Sequence, residues 1–213
     1  SPVAIDFAAD GSLWVCEMYD YPTGIDRQGK PGGRVKRLVD VNGDGIFDQA
    51  EVWADDLPFP TGVMGWRDGV IVCAAPEVRL IRPAGPGPFS RANLRSETLL
   101  SGFATHNFQA RVNGLRWGLD GWIYGSGGLF GGAIKSHRTG AIIPGDGRDF
   151  RFHPDSGAFE ALAGVSQQGR VRDDFDNWFG NDNSTLLWSF PLPDHLSRRR
   201  SEEHTSELQS LAY

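Results

Sequence analysis

Three stretches of this chain repeat one pattern: "IDFAADGSLWVCEM" from Ile5, "GVMGWRDGVIVCAA" from Gly62 and "GLRWGLDGWIYGSGG" from Gly114. Each is an apolar run, an Asp-Gly step and a second apolar run. Asp-Gly between two apolar runs is a hairpin signal, because the tight turn asks its central residues for positive φ. The steps fall at Asp10, Asp68 and Asp120, and a weaker fourth copy starts near Asp173 in "DDFDNWFGNDNS". A second pair of strand-like runs follows each copy. "GRVKRLV" and "AEVWADD" flank an acidic turn, "VRLIRP" and "SETLLSGF" flank a Gly-Pro loop, and "DFRFHP" and "GAFEALAG" flank Asp155-Ser156-Gly157. Four strands in about 50 residues is the size of one propeller blade.

The expectation is therefore an all-β chain, a β-propeller cut to about three and a half four-stranded blades, with residues 1–199 as one partial domain. A β-sandwich accounts for the strands but not for the long repeat. An open arc of blades leaves faces and strand edges uncovered, which predicts marginal stability or aggregation. Composition agrees: 28 glycines and 13 prolines among 213 residues supply many turns, and 39% hydrophobic content is globular rather than disordered. A net charge of -6 argues against nucleic acid, because phosphate binding wants a basic face. No apolar run reaches the ~20 residues of a membrane-spanning helix. The chain opens at Ser1 directly in an apolar run, as if cut from something longer.

The tail differs. "RSEEHTSELQS", Arg200 to Ser210, has no glycine, no aromatic residue and no apolar alternation. It reads in frame as the translation of a common sequencing-library adapter, so residues 200–213 are expected to be non-native and are set aside from the fold. The two cysteines, Cys16 and Cys73, have no CxxC or CxxCH spacing, which removes zinc and attached haem. They read either as buried thiols or as a disulfide.

"DVNGDGIFDQAE", Asp40 to Glu51, crowds three aspartates into one turn. The positions Asp40, Asn42, Asp44, Gly45 and Glu51 fit the calcium-loop pattern D-x-[DN]-x-[DN]-G-x5-E. Calcium takes six to eight oxygens, and alternate residues of a tight turn aim theirs inward, while Gly45 permits the bend. Two carboxylates ~5 Å apart repel by roughly 3 kcal/mol at an effective dielectric of ~20, so such crowding calls for a cation. Pro58, Pro60, Val52 and Trp53 argue against flanking helices. The expected site is a structural calcium loop at a hairpin tip on the rim, with Asp40, Asn42, Asp44, the Ile46 carbonyl and Asp48 as ligands. Glu51 joins them only if the loop is EF-hand-like. A solvated turn without metal is the alternative.

The fragments "LWVCEMYDYP", "GKPGGRVKRLVDVNGDGIFD", "LPFPTGV", "RVNGLRWGLDGWIYGSGG", "GRDFRFHPDSGAFE" and "DNWFGNDNS", in this order, resemble the N-terminal propeller of large membrane-bound dehydrogenase-like proteins of planctomycetes and verrucomicrobia. That group is similar to soluble quinoprotein glucose/sorbosone dehydrogenases. The resemblance runs from Ser1 to about Asp194. It implies a six-bladed propeller, use of pyrroloquinoline quinone, and export to the periplasm or cell envelope. It also implies a haem c domain in longer members, for which this chain has no CxxCH. Two places depart from the group. "RPAGPGPFSRANL" stands where a second calcium-type hairpin is common, and Asn113-Gly114 stands where the dehydrogenases place a histidine before the glycine.

Oxidation of a sugar hydroxyl by a quinone needs a general base and cationic groups near the quinone oxygens. "ATHNFQARVNG" precedes an inner strand, so His106 is the candidate base, Arg111 its electrostatic partner and Asn113 an orienting group. Glu17, Asp20 and Arg27 in "CEMYDYPTGIDRQ" either line the same mouth or form a satisfied polar network. Trp117, Trp122 and Trp178 read as blade packing, and Asp146 and Asp149 as turn residues. Three functions remain open: a quinone-dependent sugar or alcohol dehydrogenase, a non-catalytic propeller binding carbohydrate or protein, and a calcium-dependent hydrolase with an axial metal.

Overall fold

A computed structural model of the protein describes residues 1–87 and 89–192; the polar tail at 200–213 lies outside them. The first sheet is an up-and-down meander of β1 (Pro2–Phe7), β2 (Leu13–Glu17), β3 (Gly33–Val39) and β4 (Gln49–Leu57), in that order. The second repeats it with β5 (Gly62–Trp66), β6 (Gly69–Ala74), β7 (Glu77–Pro83) and β8 (Leu94–Ser101). In the third, β9 (Asn113–Trp117) and β10 (Ile123–Ser126) pair with β13 (Phe150–Phe152) and β14 (Phe159–Ala161). The fourth sheet has β15 (Arg170–Arg172), β16 (Trp178–Gly180) and β17 (Trp188–Phe190). Every strand pairing among them is antiparallel.

The sheets stand as blades. The first strand of each lies against the first strand of the next, so β1, β5, β9 and β15 follow one another around a common hub. The faces between them hold separate cores, which a two-sheet sandwich with a single core would not. Between blades one and two lie Trp14, Cys16, Val35, Trp53, Val63, Val70 and Val72. Between blades two and three lie Met64, Ile71, Cys73, Leu115, Ile123, Phe150 and Phe152. Tyr124, Leu162 and Trp178 fill the gap between blades three and four. Successive residues of one strand therefore serve opposite junctions: Val70 and Val72 face backward, Ile71 and Cys73 forward. Both cysteines are free and buried. Burial pushes the Cys16 thiol up to about 12 and that of Cys73 further in the same direction.

Two features differ from the sequence reading. The Asp-Gly steps are not all two-residue turns. Gly11 and Gly121 do take positive φ, at 81° and 79°, but Asp10 and Asp120 serve as side-chain acceptors. Asp10 Oδ1 takes the Ser12 N–H at 3.0 Å, and Asp120 Oδ1 takes the Trp122 N–H at 3.1 Å. These are Asx-turns, in which the carboxylate mimics a backbone carbonyl. In the second blade the left-handed residue is Arg67, with φ 52°. The other difference is an extra hairpin, β11 (Ala133–Ser136) and β12 (Ile142–Pro144), which leaves the third blade and pairs with β8 of the second. Its strands are too short for a period-2 signal to stand out.

Candidate functional site

The hub encloses a cavity of about 810 Å³ walled by the starts of β1, β5 and β9 and by the loops that enter them. Its polar lining includes Gln109, Arg111, Asn113, Gln167, Gln168 and Asn183. No carboxylate or histidine is among its described lining residues. A smaller cavity of about 400 Å³ lies toward the other end of the inner strands and shares Leu115 and Arg116 with it. There Asp6 accepts the Gly65 N–H at 2.8 Å and stands 4.0 Å from Arg116. Burial pushes the Asp6 carboxyl up, against the opposing pull of the Gly65 N–H and the Arg116 charge.

Of the three candidate catalytic residues, two reach the hub. Arg111 is 4% exposed, its guanidinium beside the packed pair of Phe59 and Phe108 rings, 4.8 and 4.6 Å from their centroids. One of its terminal nitrogens donates to the Thr105 carbonyl. Burial lowers its pKa, and the nearby Asp20 charge works the other way. Asn113 donates from Nδ2 to the carbonyls of Arg111 and Gln167, each at 2.8 Å. It thereby ties β9 to the loop before β15. Next to it Gly114 sits at φ 66°, where a Cβ would lie 2.3 Å from the Gly169 Cα, so the third and fourth inner strands approach through glycine. His106 is exposed and does not line the cavity. Its ring stands edge-on to Phe130 at 4.4 Å, because the loop ahead of β9 is drawn toward the third blade's own loop, with the Ala104 N–H on the Gly131 carbonyl.

Glu17, Asp20 and Arg27 are not among the residues that line the larger cavity. Asp20 is fully buried, and its Oδ2 accepts the N–H groups of Phe59 and Gly32 at 2.7 and 3.2 Å. It holds Phe59 in the left-handed region, φ 45°, and so places the ring that covers Arg111. Glu17 pairs with Lys36 at 3.0 Å within the first blade. Arg27 is exposed on the loop before β3. Trp117 stacks on Trp66 at 5.2 Å and Trp178 on Tyr124 at 4.1 Å, both across blade junctions, while Trp122 lies under the Arg151 guanidinium. Asp149 is more than a turn residue: fully buried, it accepts from Ser166 N and Oγ at 2.9 and 2.7 Å and faces Arg170 at 3.6 Å. Only the low accessibility of that loop gives it this role, and no sequence spacing announces it.

The acidic turn is the tip of the β3–β4 hairpin, flanked by strands and not helices. Asp40 accepts Gly43 N–H and Gly45 N–H at 2.7 and 2.8 Å, and these bonds lower its pKa. Asp44 Oδ1 takes the Ile46 N–H, and Asp48 Oδ2 the Val41 N–H. The carboxylates thus brace the loop backbone, and among the described residues no three acidic, histidine or cysteine side chains converge as a metal cluster. Glu51 belongs to β4, 3.7 Å from Arg37 and bonded by Trp53 Nε1, away from the tip.

Radial sheets around a cavity-bearing hub define this as a β-propeller-type protein. The chain belongs to a family described as a domain of unknown function (DUF7133), whose pattern matches residues 1–212. No curated protein matches the chain. Among solved structures, catalytically inactive virginiamycin B lyase from Staphylococcus aureus with quinupristin aligns with a TM-score of 0.45 at 14% identity. That alignment covers 90% of this chain and 56% of the lyase chain, so the present chain spans little more than half its length. No described helix is long and apolar enough to cross a membrane.

Proposed function

We propose that this chain is a ligand-binding propeller whose hub takes a carbohydrate. The observation that carries the reading is the lining of the larger cavity: carboxamides of Gln109, Gln167, Gln168 and Asn183, with Arg111, and no carboxylate or histidine among the described residues. Carboxamides present donors and acceptors together, which suits hydroxyl groups that are also both. Proton abstraction needs a base within hydrogen-bond reach of the substrate, and no carboxylate or histidine among the described lining residues supplies one. Titration calorimetry of the intact chain against a panel of neutral and acidic sugars tests the reading. Saturable binding that Gln168→Leu and Asn183→Leu each weaken about tenfold is the expected result, a loss of about 1.4 kcal/mol. A panel without binding would sink it.

Oxidation of a sugar or alcohol is the second reading, favoured by Arg111 and Asn113 lying in one cavity wall. Pyrroloquinoline quinone, if bound, would supply a hydride acceptor and Arg111 positive charge, while the base that takes the hydroxyl proton would have to come from outside the described lining; Asn113 is committed to two backbone carbonyls. Dye reduction with added quinone separates the readings. The resemblance to exported dehydrogenase-like proteins supports a place in the periplasm or cell envelope and a haem c partner domain in a longer protein. We further propose that residues 40–48 bind calcium. Asp40 is already fixed by two N–H donors, and Asp44 and Asp48 would have to turn inward from theirs. Added calcium should raise the Tm of the chain, and Asp40→Ala should remove that rise.

A further inference from the structure

The larger cavity has a sign. Two charged side chains stand among its described lining residues, Arg111 and Arg116, and both are cationic in a chain whose net charge is -6. Arg116 is half-exposed and has Asp6 at 4.0 Å. Arg111 is almost wholly buried, packed by Phe59 from the loop between blades one and two and by Phe108 from the loop before blade three. Among the described residues no carboxylate oxygen comes within 4.0 Å of it. Asp20 acts on it only through space, and Oδ2 of Asp20 is already taken by the N–H groups of Phe59 and Gly32. The donors of the guanidinium are underused as well. Nη2 serves the Thr105 carbonyl, and Nε is buried without an acceptor. Nη1 has no acceptor among the described residues either, and unlike Nε it is not buried.

A desolvated cation without a counter-ion is costly, and a partner that brings a negative charge recovers that cost. The planar fork of a guanidinium matches the two oxygens of a carboxylate, and charge-assisted bonds of this kind are about twice as strong as neutral ones. We propose that Arg111 is the anchor for a carboxylate on the sugar, so that the hub selects uronic acids over neutral sugars. The inference rests on the reading of this cavity as a carbohydrate site and narrows its substrate class. The wall beside Arg111 is built to hold the rest of such a ligand. The Tyr21 hydroxyl accepts from Gln109 Nε2 at 2.8 Å, and the Gln109 carbonyl accepts from Gln168 Nε2 at 3.0 Å. Tyr21, 48% exposed, offers a ring face to the C–H side of a sugar, while the carboxamides face its hydroxyl groups.

Titration calorimetry of the intact chain with three matched probes tests it: galacturonic acid, its methyl ester and galactose. The ester keeps the carbonyl and the size of the acid but removes the charge. The acid is expected to bind at least about tenfold more tightly than either neutral probe, and raised sodium chloride should weaken the acid alone. This comparison is made on the unaltered chain, so it does not depend on any variant folding. In Arg111→Gln the ratio of acid to ester affinity should collapse to within about threefold, and in Arg111→Lys, which keeps a point charge without the fork, it should fall between the two. Equal affinity for all three probes overturns the carboxylate anchor while leaving the cavity a sugar site. Absence of binding by all three sinks the sugar reading and this inference with it. A ratio unchanged from the unaltered chain in either folded variant removes Arg111 from the role.

Discussion

The junction between blades two and three and the junction between blades three and four perform one task with different chemistry. The first is aliphatic and aromatic: Met64, Ile71 and Cys73 from one side meet Leu115, Ile123 and Phe150 from the other. The second contains a buried charge pair. Arg170 lies 3.9 Å from the Phe190 ring centroid and 5.4 Å from that of Trp178, and it faces the fully buried Asp149 at 3.6 Å. Apolar contact is non-directional and tolerates a small shift. A buried ion pair must be matched and further hydrogen-bonded, or the desolvation of its charges outweighs their attraction. Asp149 meets that demand through Ser166, and Arg170 through the Ala163 carbonyl. Among the described residues the fourth blade has three short strands and a small apolar cluster, so directional contacts carry a larger share of its docking there.

Breaking each junction sharpens the contrast. Asp149→Ala should cost the most, about 3–5 kcal/mol in denaturant unfolding, because it strands a buried guanidinium and leaves two Ser166 donors without their acceptor. The loss should be local first, with early hydrogen exchange in β15–β17. Ile71→Ala in the apolar junction should cost about 3 kcal/mol through the methyl groups and the cavity left behind, and should lower the melting of blades two and three together. A denaturation midpoint less affected by Asp149→Ala than by Ile71→Ala would reverse the ranking and the reasoning with it.

Alkaline pH separates the junctions in another way. The Cys16 thiol has its pKa raised from 9.0 to about 12 when folded. The folded state thus holds the proton more tightly than the unfolded chain, so this contribution is complete below pH 9.0 and is lost as pH rises toward about 12. The slope approaches ~1.4 kcal/mol per pH unit for each thiol in that window. A Cys16→Ala, Cys73→Ala variant should flatten it, and an unchanged slope would remove the thiols from the account. The smallest effect belongs to the surface bridge between the turn of blade two and the β13–β14 turn of blade three, Arg67 with Asp155 at 2.6 Å. Both side chains are well exposed, so Arg67→Ala should change stability by less than ~1 kcal/mol and by still less in high salt.

The blade repeat was legible because hairpin chemistry and strand alternation are local. Asp10 and Asp120 mark their turns whether they act through φ or, as found, through side-chain acceptance of the Ser12 and Trp122 N–H groups. The acidic tip was legible as a strand-flanked hairpin for the same reason, with Pro58 and Pro60 excluding a helix after it. The β11–β12 hairpin was not, since what defines it is pairing to β8, a strand more than thirty residues earlier. Arg111 and Asn113 were placed at the hub because they sit at the head of β9, whose position the repeat sets. His106 shares that loop but follows Phe130, a contact between two irregular segments that no period encodes.

The sequence by itself determined the four-strand repeat, the turns that its Asp-Gly steps mark and which residues of those strands are apolar, because these depend on neighbours within one blade. Only the tertiary structure decided that Asp149 and Arg170 share a buried junction, that Asp20 sets the Phe59 ring over Arg111, and that Val3, Ile5 and Phe7 lie open while Val63, Val70 and Val72 are covered. Those outcomes depend on which sheet face or loop meets which across gaps of twenty residues or more, where burial and desolvation are set by the whole arc and not by any one turn.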